Sequence, residues 1–136
     1  FKISNKVINY ENKYIAEKKI IYEMKNKKIK IICLAGFMKI LSNKFIKNFK
    51  GKILNIHPSL LPKYKGLNTH QRAISNNEKY SGCTVHFVNS RLDSGKILLQ
   101  KKVKISNSDT SKSLAKKILI QEHKLYPKAI KKLFSL

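Results

Sequence analysis

The sequence predicts an α/β fold, a mostly parallel central sheet flanked by helices, and three observations carry the prediction. An apolar run closed by Gly36 follows an amphipathic helical stretch. A second short aliphatic run, Lys52-Ile53-Leu54-Asn55-Ile56-His57, is stopped by Pro58. Strand-like and helix-like segments then alternate to the end of the chain, the order expected of βαβ units.

Residues 6–10 read as a short strand. Residues 13–28 read as a helix, because Ala16, Ile20 and Met24 repeat at four while Glu and Lys fill the other face. Residues 29–35 fit a strand buried on both faces of a parallel sheet. Ser42 is placed to cap a short helix carrying Phe45 and Phe49. The 52–57 strand follows; its alternation puts Ile53, Asn55 and His57 on one face. Residues 69–77 read as a helix, with Thr69 at its cap and Ala73 and Ile74 facing inward. Residues 81–88 and 97–105 read as strands joined by the turn-rich hairpin Asn89-Ser90-Arg91-Leu92-Asp93-Ser94-Gly95. Ser108, Asp109 and Thr110 open a last helix with Leu114, Ile118 and Leu125 on one face, and Tyr126-Pro127 breaks or restarts it.

With 136 residues, the chain is one domain, residues 1–136, with room for a core. No run approaches the roughly 18 apolar residues of a membrane span, and Phe1-Lys2-Ile3-Ser4-Asn5-Lys6 is too polar for a leader. Cys33 and Cys83 lie in strand-like runs without ligand spacing, so two buried thiols in a reducing, cytoplasmic setting are expected, and no metal site. The formal net charge of +23 invites a nucleic-acid reading. Against it, Arg72 and Arg91 are the two arginines among 28 lysines. Base readout favours Arg. The lysines are also dispersed, and Lys, Ile and Asn together suggest coding from an AT-rich genome.

The stretch that carries chemistry is Leu54-Asn55-Ile56-His57-Pro58-Ser59-Leu60-Leu61-Pro62-Lys63-Tyr64-Lys65-Gly66. An amide and an imidazole side by side at a strand end suit an oxyanion: Asn offers two N–H donors, and His can donate, accept or carry charge. With Leu34-Ala35-Gly36-Phe37-Met38-Lys39-Ile40-Leu41, Gly66-Leu67-Asn68-Thr69-His70, Val85-His86-Phe87-Val88, Arg91-Leu92-Asp93-Ser94-Gly95 and Gln121-Glu122-His123, it resembles the folate-dependent formyltransferases over nearly the whole chain.

The resemblance implies a Rossmann-like formyltransferase fold and a catalytic trio of Asn55, His57 and Asp93. It implies transfer of a formyl group from 10-formyltetrahydrofolate, a co-substrate, to the amine of 5-phosphoribosylglycinamide in purine synthesis. Alternatives are a sister activity on aminoacyl-tRNA or a sugar amine, or a basic nucleic-acid-binding module. Gly66-Leu67-Asn68-Thr69-His70 favours the purine substrate, since the tRNA-directed relatives resemble Gly-Ala-Ala-Pro there. In chemical terms, Asn55 and a protonated His57 donate to the oxyanion, and Asp93 favours the imidazolium and passes a proton through an ordered water.

Met38, Lys39, Ile40 and Leu41 line the folate pocket in this family. Asn55 contributes to the same site, Asn89, Ser90, Arg91 and Leu92 complete it, and Lys13 stands where the family has a basic residue near the folate. Ile56, Pro58 and Glu122 fall at substrate positions. His70 lines the cleft or is a satisfied loop residue, His86 is a supporting or half-exposed strand residue, and His123 is structural. Asn68 departs from relatives that often carry His. Leu61-Pro62 is cis in the family, whereas sequence alone favours trans. No Gly precedes Gly36, so the family's phosphate-gripping loop is expected ahead of Phe1 and the chain reads as the carboxy-terminal portion of a longer one, its first strands truncated. Partners are the two small-molecule substrates, with no nucleic acid and no membrane; monomer and homodimer both stay open.

Overall fold

The computed structural model describes residues 2–135. In chain order the elements are α1 (Lys13–Asn26), β1 (Ile31–Leu34), α2 (Asn43–Asn48), β2 (Lys52–His57), α3 (Thr69–Ser75), β3 (Tyr80–Phe87), β4 (Ile97–Lys104) and α4 (Ser111–Phe134). The α/β class is as expected, and the sheet has the order β1-β2-β3-β4.

The sheet is mixed rather than mostly parallel. β1 and β2 run parallel, with Leu34 opposite Asn55, while β2·β3 and β3·β4 are antiparallel. The chain leaves β2 at His57 and re-enters at Tyr80 near the same end, since His57 lies opposite Thr84. That return reverses direction; a parallel neighbour would need a crossover back along the sheet.

Each face of the sheet buries its own core. Leu54, Cys83 and Val85 pack with Leu114, Ile118, Leu125 and Ala129 of α4 and Ala73 of α3. Ile53 packs on the other side with Leu41, Phe45 and Phe49. Adjacent Ile53 and Leu54 thus serve opposite layers, as strand alternation requires, and Asn55 and His57 lie on the Ile53 face. Ser42 caps α2 by accepting from the Phe45 N–H. A capping box between Thr110 and Ser113 opens α4.

Four local expectations are corrected. Residues 6–10 form no strand: Lys6 bonds Glu23 and Tyr10 bonds Glu17, so the segment lies along α1. Cys33 is exposed, because β1 is the edge of the sheet among the described residues. Asn68, in the left-handed region, takes the cap position of α3 in place of Thr69, which is the first helical residue and is buried. α4 runs through Pro127 without a break. Leu125 and Ala129 on either side are buried, and the Tyr126 hydroxyl reaches the carbonyls of Leu34 (2.9 Å) and Leu54 (3.2 Å). That packing outweighs the loss of one helical N–H.

Candidate active site

β2 delivers Asn55 and His57 to the sheet end where parallel β1 also stops, the edge at which open α/β sheets bind ligands. The antiparallel register places His86 directly opposite Asn55 and Thr84 opposite His57, so all four share a face. Thr84 is fully buried and fixes the loop that follows β2. Its hydroxyl donates to the Ser59 carbonyl (2.6 Å) and accepts from the Leu61 N–H (3.1 Å) and the Gln100 amide (2.9 Å). The Ser59 hydroxyl donates to the Lys63 carbonyl (2.6 Å), and the Leu61-Pro62 bond is cis.

The same loop receives Asp93. Tyr64, Gly66 and Asn68 all adopt positive φ, a crowded region that glycine alone enters freely. The bends aim the Gly66 N–H at Asp93 Oδ2 (2.9 Å) and the Tyr64 carbonyl at His57 Nε2 (2.8 Å). Asp93 itself has φ 44°, a conformation Asp tolerates better than most residues. Gly95 lets the hairpin close, because a Cβ there would meet the Phe87 carbonyl at 1.7 Å.

The result is one network. His57 Nδ1 stands 3.4 Å from Asp93 Oδ2, His86 Nε2 3.6 Å from Asp93 Oδ1, and Asn55 Nδ2 3.4 Å from His86 Nε2. The Asp93, His57 and His86 side chains are 7%, 7% and 3% exposed. Burial pushes the Asp93 carboxyl up, but hydrogen bonding by His86 and the Gly66 N–H, with the charge of the two imidazoles, outweighs it. The carboxyl is held below its usual range and is ionised. Since carbonyls only accept, His57 Nε2–H donates to Tyr64 and His86 Nδ1–H donates to the Phe87 carbonyl (2.9 Å). Each imidazole therefore turns its other nitrogen toward Asp93.

The network opens on a cleft of about 700 Å³. Asn55, Ile56, His57 and Pro58 line it, with Met38, Lys39, Ile40 and Leu41 as one lip and Asn89, Ser90, Arg91, Leu92 and Asp93 as another. Glu122 of α4 lines it too, its carboxyl raised by burial and lowered in part by His123. Of the residues singled out in the sequence, Lys13 is the exception. It is the first, exposed residue of α1 and is not among those lining the cleft.

The sequence left the part of His86 open. Its tie to Asn55 exists through strand register, which no local pattern reveals. His70 lines the cleft, and its Nδ1 is buried with no hydrogen-bond partner among the described residues. Burial, then the charge of nearby His57, holds the His70 imidazole below the usual histidine range. A depressed folded value means stability that is complete above about pH 6.5 and lost as pH falls through the folded value. We expect the melting temperature of the protein to fall more steeply from pH 7 to pH 5 than that of a His70→Gln variant. Parallel curves in thermal unfolding would contradict this. Among the described residues, no group of three His, Cys, Asp or Glu side chains is placed to hold a metal ion. No helix among them is long and apolar enough to cross a membrane.

The chain is similar to known proteins over most of its length. The formyl transferase family model matches residues 2–130. The chain is 53% identical over 103 residues to phosphoribosylglycinamide formyltransferase of Haemophilus influenzae, covering 76% of this chain and 49% of that protein. It is 43% identical over 131 residues to the human trifunctional purine biosynthetic protein adenosine-3, covering 94% of this chain and 13% of that protein. Among solved structures, phosphoribosylglycinamide formyltransferase from Brucella melitensis superposes with a TM-score of 0.84 at 47% identity, over 90% of this chain and 63% of that one. The chain thus spans about half the length of the bacterial relative and a small part of the human one.

Proposed function

Since this chain belongs to the formyl transferase family, we propose that its cleft moves a formyl group from 10-formyltetrahydrofolate to the amine of 5-phosphoribosylglycinamide. The observation that carries the reading is the Asn55–His57–His86–Asp93 network opening on a single cleft. The cleft fits a flat ring donor: Met38, Ile40 and Leu92 border it while 72%, 60% and 51% exposed, apolar surface suited to a heteroaromatic face. Relatives named for phosphoribosylglycinamide support that amine over aminoacyl-tRNA or a sugar amine. Both thiols are free, in keeping with a reducing cytoplasmic setting.

The donor supplies the formyl carbon and leaves as tetrahydrofolate. As the substrate amine bonds to that carbon, Asn55 donates an amide N–H to the formyl oxygen, where negative charge builds. The sequence predicts that His57 donates directly to the same oxygen. Its Nε2–H is committed to Tyr64 and its Nδ1 faces Asp93, so His57 acts by holding the carboxylate in place rather than by a direct hydrogen bond to that oxygen. Asp93 takes the proton released by the attacking amine, through a water, and returns it to the departing nitrogen; the proton count is unchanged overall. Ile56, Pro58 and Glu122 hold the amine-bearing substrate on the α4 side of the cleft. Lys13, away from the lining, meets the acidic tail of the folate by charge alone.

The test is direct. The protein at its full natural length, mixed with 10-formyltetrahydrofolate and 5-phosphoribosylglycinamide, is expected to yield tetrahydrofolate and the formylated amide in equal amounts, followed by mass spectrometry. Equal rates with and without the amine would mean hydrolysis of the donor and overturn the transferase reading.

A further inference from the structure

The segment from Phe37 to Ser42 has no helix or strand of its own. Met38, Lys39 and Ile40 are exposed, yet they border the cleft along with Leu41. What holds this lip lies behind it. Glu17, in α1, is 7% exposed. A buried carboxylate is tolerated where hydrogen bonds replace its water. Here Oε1 accepts the Ser42 N–H (2.8 Å) and the Tyr10 hydroxyl (3.0 Å), and Oε2 accepts the Ser42 hydroxyl. The Tyr10 ring in turn meets the Phe37 ring edge-to-face, 5.6 Å between centroids at 84°. Both ends of the lip are therefore gripped by two residues that are bonded to each other and do not line the cleft.

We propose that Tyr10 and Glu17 are positioning residues: they clamp the lip of residues 37–42 from behind and so set how tightly the cleft holds the formyl donor. The proposal rests on the formyl-transfer reading above. The burial and hydrogen bonding that fix the clamp also push the Tyr10 phenol upward, with Glu17 adding to the effect, so the phenol stays a donor at neutral pH. The clamp touches the donor lip and not the α4 side where the amine substrate sits, so its loss should divide the two substrates.

The experiment compares Glu17→Gln and Tyr10→Phe with the unaltered protein. Glu17→Gln keeps the shape but loses the charged acceptor, and Tyr10→Phe keeps the ring on Phe37 but loses the hydroxyl. We expect the KM for 10-formyltetrahydrofolate to rise roughly tenfold in Glu17→Gln, the scale of a lost charged hydrogen bond, and less in Tyr10→Phe. The KM for the amine and kcat should stay within about twofold. Hydrogen exchange should speed up in peptides covering 37–42 and not in those covering 52–57. A rise in both KM values together, or an unchanged donor KM despite faster exchange, overturns the proposal and leaves Glu17 as a structural support for Ser42, the cap of α2. If Glu17→Gln does not fold, Tyr10→Phe decides alone, and an unchanged donor KM in that variant overturns it. A protein that transfers no formyl group before any substitution defeats the transfer reading itself, and the proposal with it; loss of donor affinity in the variants alone cannot be mistaken for that result.

Discussion

Replacing Asn55 by Ala is expected to lower kcat by about a hundred- to a thousandfold, the usual cost of removing one oxyanion donor. Asn55 Nδ2 lies 3.4 Å from His86 Nε2 across the strand pair. That contact fixes the direction of the amide, whose N–H groups can then meet the formyl oxygen. An amide held on a strand keeps its direction without reorganising as charge builds, which is why its loss should fall on the transition state and not on binding. The signature is a drop in kcat and kcat/KM by the same factor, with both KM values little changed. The side chain is half-buried at the strand end and outside both hydrophobic clusters, so thermal unfolding should shift by no more than a surface substitution does. A loss of less than about threefold in kcat would assign the oxyanion to another donor; His70, whose Nδ1 has no partner among the described residues, lines the same cleft.

Much of this site is legible in the sequence because its parts are local. A period of two places Asn55 and His57 together, and Pro58 ends their strand. Ser42 three residues before Phe45 announces a cap, and turn residues around Asp93 announce a hairpin. The rest depends on contacts between elements remote in sequence. His86 joins the network because β3 pairs with β2 in one register and not another. Residues 6–10 have a strand-like composition, but Tyr10 and Lys6 find their partners on α1. Pro127 looks like a break until Tyr126 is seen bonded to two strand carbonyls. The same limit hides Glu17: on a helix rich in Lys and Glu, nothing local separates the buried carboxylate from its solvated neighbours.

Asp93→Asn should be the most informative substitution in the protein. The two side chains match in shape, so the Gly66 N–H can still be accepted, but the negative charge between His57 and His86 is gone. Two consequences follow with defined signs. The carboxyl of Asp93 is held below its usual range in the fold, so the stability it adds is present at neutral pH and is lost as pH falls through the folded value, below about 3.8. The Asn variant lacks that acid-labile component, and its stability should fall less over the same acid range. Catalysis should suffer as well. Loss of the proton acceptor should cut kcat by roughly a hundred- to ten-thousandfold. A loss of less than about tenfold would show that the amine proton leaves by another route and would make the carboxylate a purely electrostatic partner of His57 and His86.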